Sequence, residues 1–378
     1  MAGKTTTINI KSYNRTQIFR HLFQKGALSQ KEISLNLNLS MPTVIQNLNE
    51  MREQNLIIEK GVQDSTGGRK AKKLGINAMA HVALGLDITK HHISIVLVDL
   101  LGNILESRRL RCIYQDTPDF YENLAEQVNE ILKKQSLSND FVLGMCISIP
   151  AIVKPDHRTI TYSRLIPSLP ADVEILQHIQ GYFPFPAMLM NDASCSGFAE
   201  HWYHPDHTDM FYLLLSNSVG GSILFQDQVY PGMNNRSAEI GHTTLMPDGK
   251  KCYCGRLGCV DSYCSANYLS DFSENRTLED FFEKLEQGIP SYQAHWKEYL
   301  NYVAMTISNI HMLFDCDIIV GGYVGNFIEP YMDLLKELVM KTEIFSDNAD
   351  FILPCMLHAE SSAVGAALIY IDQFIQSI

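Results

Sequence analysis

The segment KCYCGRLGCVD, residues 251–261, packs Cys252, Cys254 and Cys259 into a single short run. Sulfurs this close require the backbone to fold back on itself, and Gly255 and Gly258 permit the sharp turns needed. What the thiols do depends on the compartment. The start of the chain, MAGKTTTINIKSYNR, lacks the apolar stretch of a signal peptide. No run reaches the roughly 18 apolar residues of a membrane helix, and ISIVLVDLLGNIL is broken by Asp99. We therefore expect a cytoplasmic protein without a membrane partner, in which clustered cysteines stay reduced and more often bind metal than each other.

A nitrogen ligand lies upstream. His242 is followed by nine residues, Cys252, one residue, Cys254, four residues and Cys259. Three thiolates and one imidazole form the closed tetrahedral set of a structural Zn2+ site. Three unrelated buried thiols are the alternative. Cys112, Cys146, Cys195, Cys264, Cys316 and Cys355 are dispersed and read as core thiols.

At 378 residues the chain exceeds one ordinary core, and two or three domains are expected. With 46% apolar and 19% charged residues it is globular and not disordered. The net charge of −12 is unevenly spread. Residues 1–80 hold 12 Lys and Arg against 5 Asp and Glu, whereas the rest hold 18 against 37. A basic head on an acidic body points to a polyanion as the partner of the head alone. A chance excess of solvated lysines would look the same by charge count.

The head, residues 1–78, reads as three helices and a hairpin. NRTQIFRHLFQKG sets Ile18, Leu22 and Phe23 on one face and stops at Gly26. SQKEISLNLN opens with Ser29 and Glu32 in capping-box spacing, with Ile33 and Leu37 inward. SMPTVIQNLNEMREQNLI starts at Ser40 as N-cap, tolerates Pro42 in its first turn and turns Val44, Leu48 and Met51 inward. Ser40, Thr43, Gln46 and Asn47 are then free to meet base edges. LIIEKGVQDSTGGRKAKKLGI reads as a β-wing whose Arg69, Lys70, Lys72 and Lys73 could lie along phosphates or in the minor groove. The whole is a winged helix-turn-helix for a double-stranded DNA operator. An ordinary three-helix bundle shares its periodicity.

From residue 84 the pattern changes. LGLDITKHHISIVLVDLLGNIL reads as three strands with a tight turn at Leu101-Gly102-Asn103. MFYLLLSNSVGGSILFQDQVYPG repeats that plan, with its second turn at Gln226-Asp227-Gln228. Each half runs on into helices such as DFYENLAEQVNEILKKQ and YLNYVAMTISNIHMLF. Two hairpin-led α/β halves around a cleft describe a two-lobed actin-like (sugar kinase/ribonuclease H-like) architecture. Two generic α/β domains would give the same order. We place the first lobe at 79–190 and the second, with the metal site, at 191–378, the C-terminal helix able to pack back on the first.

The Cys-x-Cys-Gly-x-x-Gly-Cys run, preceded by Glu239-Ile240-Gly241-His242, resembles the ROK family of repressors, open reading frames and sugar kinases. The winged head, DITKHHISIVLVDLLGNIL, ISIPAIV, NDASCSGFAE, SAEIGH, IIVGGYVGN and ESSAVGAAL follow in that family's order along the whole chain. The resemblance implies that His242, Cys252, Cys254 and Cys259 hold zinc beside a sugar pocket. It also implies sugar contacts by Asn191, Asp192, Glu239, His242 and Asp261, where the family usually has Glu in place of Asp261. Asp192 matches the general base of the kinases, which accepts the proton of the attacked hydroxyl.

Catalysis is nonetheless not expected. ROK kinases carry Asp-x-Gly-Gly-Thr in the first hairpin, where glycines let backbone N–H groups approach phosphate. This chain reads Asp87-Ile88-Thr89-Lys90-His91. The second loop, SNSVGGS, keeps Gly220 and Gly221 but has Ser216 and Ser218 for the Gly-Thr-Gly opening; Gly321 and Gly322 keep part of the adenosine-side turn. The resulting expectation is a sugar- or phosphosugar-responsive DNA-binding regulator, a homodimer or homotetramer, built on a degenerate kinase fold. An ATP-dependent kinase with an added head, or a regulator answering to a protein partner, are the alternatives.

Overall fold

The computed structural model describes residues 7–62, 72–163, 166, 172, 174–357 and 360–378. The head comprises α1 (Thr7–Lys25), β1 (Leu28–Ser29), α2 (Gln30–Asn36), α3 (Met41–Glu53), β2 (Ile57–Val62) and β3 (Lys72–Ile76), with sheet order β1-β3-β2. Local chemistry sets these boundaries. Gly26 takes φ +77° after α1. The capping box is present: Ser29 Oγ accepts from Glu32 N at 3.3 Å, and the Glu32 carboxylate accepts from Ser29 N at 2.7 Å. Ser40 Oγ accepts from Thr43 N at 3.3 Å. Ile18, Phe19, Leu22, Ile33, Val44, Leu48 and Met51 are fully buried and hold the three helices together. The wing tip that would carry Arg69 and Lys70 lies outside the described residues.

The body contains two five-stranded sheets. In the first, β4 (Val82–Ile88), β5 (His92–Asp99) and β6 (Ile104–Arg111) form an antiparallel meander. β7 (Val142–Ile149) pairs parallel to β4; the short strands β8 (Ile152–Val153) and β9 (Ile160–Tyr162) form a separate hairpin; β10 (Ala187–Asn191) pairs parallel to β7. The order is β10-β7-β4-β5-β6.

The second sheet repeats the plan. β11 (Met210–Leu215), β12 (Val219–Phe225) and β13 (Gln228–Val229) meander, while β14 (Asp317–Gly321) and β15 (Ile352–Pro354) run parallel to β11, giving β13-β12-β11-β14-β15. The same connectivity in both halves is the doubled actin-like arrangement.

The turns follow their residues. Gly102 sits at φ +81° where the Asp99 carboxylate accepts from the N–H groups of Leu101 and Asn103. Gln226 and Asp227 both take left-handed conformations, φ 51° and 62°, and close the corresponding turn of the second half.

The C-terminal helix, Ser361–Ser377, packs back onto the first sheet at backbone contact. A Cβ on Gly85 would lie 1.8 Å from Ala363 O, and one on Gly365 would lie 1.8 Å from Cys195 O. Only glycine allows strand β4, this helix and the helix Asp192–Tyr203 to stack so closely.

The head rests on these two helices. Ser12 and Thr16 hydroxyls each donate to Ile378 O at 3.1 Å. Phe23 of α1 meets Trp202 edge-on, with centroids 5.1 Å apart. Head and first-sheet side chains thus share one continuous apolar cluster.

Candidate functional site

Where the strands end, a cleft opens between the two sheets. Pro150, Ala151, Ile152, Tyr162 and Ser163 line it from the first half, Asn191 and Asp192 from the end of β10, and Ser218, Gly220, Gly221, Glu239, His242 and Tyr253 from the second. Four of the five residues assigned to a sugar, Asn191, Asp192, Glu239 and His242, therefore meet in one cleft.

Asn191 caps the helix Asp192–Tyr203: its Oδ1 accepts from Ser194 N at 3.1 Å. Its Nδ2 donates to Ala151 O at 3.3 Å and to Asp192 Oδ1 at 3.1 Å. The capping bond aims the amide and hence the neighbouring carboxylate into the cleft.

Asp261 is the exception. It is buried, and its Oδ1 accepts from Val219 N at 2.7 Å. It is not among the lining residues. Asp261 thus anchors the start of β12, and burial pushes its carboxyl up to about 6.

The carboxylates form a group. Parallel pairing of β4 and β10 with β7 sets Asp87 and Met190 both opposite Ser148, so Asp192 lies close to Asp87. Ser148 Oγ donates to Asp87 at 2.8 Å. Burial pushes Asp192 up to about 7, with the Asp87 and Glu239 charges adding to the rise. Burial also raises Asp87 to about 6, against the Ser148 bond and Arg109, and raises Glu239 against Arg236. A hydroxyl-rich ligand would meet one amide and two carboxyl groups here.

Beside the cleft, ligand atoms of His242, Cys252, Cys254 and Cys259 all lie within 4.8 Å of one another. Cys254 Sγ is 3.7 Å from Cys259 Sγ, and Cys252 Sγ is 3.8 Å from His242 Nδ1. Gly255 at φ +95° and Gly258 at φ +77° make the turns that bring them together. Metal–sulfur bonds of about 2.3 Å at tetrahedral angles set sulfurs ~3.8 Å apart. The donor set fits a metal ion.

Nε2 of His242 faces away from the sulfurs, 3.3 Å from Tyr253 Oη. Tyr253 and Tyr162 line the cleft and were not singled out in the sequence. Tyr253 had a local signal, its place between Cys252 and Cys254; Tyr162 had none.

The loop at the end of β4 closes on itself. Thr89 N donates to His92 O at 2.9 Å, and His92 N donates to Thr89 Oγ1 at 3.1 Å. The Thr89 amide is spent inside the hairpin and is not offered to a phosphate. In the second loop Ser216 Oγ accepts from Tyr323 N at 3.3 Å, joining that loop to the end of β14.

In the head, Ser40 and Gln46 are exposed and Thr43 is half-buried. Asn47 corrects the expectation. It is 1% exposed, with Nδ2 donating to Thr43 O at 2.8 Å. It stands three residues after Val44 and four before Met51, on the rim of the inward face, and packing of α3 covers it. The outward face instead presents Met41, Ile45, Gln46 and Asn49. Lys72 is exposed and pairs with Glu59 at 2.8 Å across the wing.

Residues 83–373 match the ROK family. A xylose repressor of Bacillus subtilis is 23% identical over 98% of this chain and 97% of its own length. An N-acetylglucosamine repressor of Escherichia coli is 23% identical over 67% of this chain and 62% of its own. Among solved structures, a ROK transcriptional regulator described as a homologue of the E. coli MLC protein superposes with a TM-score of 0.79 at 20% identity, covering 97% of both chains. A ROK hexokinase from Thermus thermophilus gives 0.64 at 22% identity over 78% of this chain and 99% of that one.

Proposed function

This chain belongs to the ROK family, and from that premise we propose that it is a sugar-responsive DNA-binding repressor of carbohydrate genes. The observation that carries the reading is the joining of two devices. A winged head rests on the far end of the helix Asp192–Tyr203, whose near end forms the cleft wall. A ligand that binds one arrangement of the halves more tightly would bias the head through this helix.

In this reading α3 enters the major groove with Ser40, Thr43 and Gln46 near base edges, while the wing's Arg69, Lys70 and Lys72 follow phosphates. Two such heads on a homodimer or homotetramer would take successive half-sites. Asn191, Asp192, Glu239 and His242 hold the sugar hydroxyls, and Asp261 supports the β12 end of the pocket. His242, Cys252, Cys254 and Cys259 hold Zn2+. When bound, zinc supplies a closed structural crosslink. Through the His242 ring, the same residues orient Nε2 and Tyr253 at the cleft.

Transcription of sugar genes is favoured over sugar phosphorylation by the Asp87–His91 hairpin, whose amide is internally satisfied. No helix among the described residues is long and apolar enough to cross a membrane, in keeping with a cytoplasmic regulator.

A thermal-shift screen of the zinc-loaded chain against free sugars, sugar phosphates and ATP–magnesium tests the proposal. A ligand in excess over its Kd raises Tm by mass action. A shift with a sugar and none with ATP–magnesium is expected, and Glu239→Gln should lose that shift while still binding DNA. A shift with ATP–magnesium followed by phosphorylated product would replace the proposal with a kinase.

A further inference from the structure

The cleft's charge pattern says which form of a sugar it takes. Asp192 and Glu239 line it from opposite halves, and Asp87 stands behind Asp192 across Ser148. No lysine or arginine lines it among the described residues. Among the described residues, the cations that act on these carboxylates, Arg109 toward Asp87 and Arg236 toward Glu239, are exposed and lie outside the lining.

The other polar groups of the cleft among the described residues, Asn191, His242, Ser163, Ser218, Tyr162 and Tyr253, suit hydroxyls.

We propose that the cleft selects an unphosphorylated monosaccharide and rejects the corresponding sugar phosphate, with Asp87 acting as a selectivity residue that never touches the ligand. The inference rests on the sugar-sensor reading and deepens it. A hydroxyl donates to a carboxylate, so a neutral sugar gains from Asp192 and Glu239. A phosphate is mostly dianionic at neutral pH and offers at most one donor. One of its charges within about 6 Å of a single carboxylate, at an effective dielectric near 20, loses roughly a hundredfold in affinity. Asp87 strengthens that field from behind the wall, where its own oxygen is already held by Ser148.

The test is isothermal titration of the full-length, zinc-loaded chain with xylose, glucose and N-acetylglucosamine. Each is paired with its phosphate: xylose 5-phosphate, glucose 6-phosphate and N-acetylglucosamine 6-phosphate. At least one free sugar should bind, with its phosphate at least about tenfold weaker. In Asp87→Asn the ratio between the two forms should narrow by about tenfold, with ligand-free thermal unfolding confirming that the variant is folded. A phosphate that binds as tightly as its free sugar, or an unchanged ratio in folded Asp87→Asn, overturns the inference and leaves the sensor reading in place. If neither form of any sugar binds, the sensor reading fails and this inference with it.

Discussion

Removing the Phe23 ring tests whether the head hears the cleft. Phe23 is half-buried on α1 and meets Trp202 edge-on at 5.1 Å. Trp202 stands in the last turn of the 12-residue helix that starts at Asp192, which spans about 18 Å from cleft to head. Trp202 is itself braced, since its indole fills the space over Gly102, where a Cβ would come within 2.6 Å of Nε1. Movement of the helix therefore presses on Phe23.

An edge-to-face aromatic pair is worth about 0.5–1.5 kcal/mol beyond its burial, and ligand coupling between sites is typically about 1–3 kcal/mol. If the pair carries its full worth of coupling, Phe23→Ala should shrink the sugar-induced change in operator affinity by roughly 2- to 13-fold. The substitution leaves the outward face of α3 untouched, so operator affinity without sugar should change much less. The assay is fluorescence anisotropy of an operator duplex, selected from random sequence by the full-length chain, with and without the sugar found by thermal shift. A full sugar response in Phe23→Ala would refute the argument that this contact transmits the signal.

Other consequences follow from the same geometry. Cys259→Ser should reduce bound zinc from one ion per chain toward none by elemental analysis, and lower Tm by about 5 °C or more, with the sugar response lost as the His242 ring is released. Replacing Arg69 and Lys70 together by Ala should make the log–log salt slope of operator binding shallower by about 1.8; an unchanged slope would remove the wing from the interface. The raised carboxyls give a pH signature. Asp192 titrates at about 7 and Asp87 at about 6 in the folded chain, against about 3.9 unfolded. Their contribution to stability is full below about pH 4 and is lost as pH rises through 6 to 7. Between pH 5 and 8 the wild type should therefore lose more Tm than Asp192→Asn, and equal losses would contradict the assignment.

What the sequence disclosed divides by range. The metal set and the Ser29–Glu32 capping box were legible because their partners lie within one local fold of the chain. The two hairpins were legible from alternation, Gly102 and the Gln226–Asp227 turn. Features that depend on tertiary packing were not.

Asn47 reads as outward because Val44, Leu48 and Met51 take the inward face, yet it sits on the edge of that face and is covered. The ROK resemblance implies a sugar contact for Asp261, but its carboxylate is turned to the Val219 amide and lies outside the cleft lining. The nearness of Asp87 and Asp192 comes from parallel pairing across β7, which no local pattern discloses. The C-terminal helix was expected to pack back on the first half, but its seating at backbone contact through Gly85 and Gly365 is a property of three elements distant in sequence.

The measurement that bears most directly on the account is the operator Kd of the wild-type, zinc-loaded chain with and without its sugar at fixed salt. Saturating sugar should change Kd by about tenfold or more, within the usual range of coupling between sites. A sugar that binds the cleft while the operator Kd stays the same would contradict it.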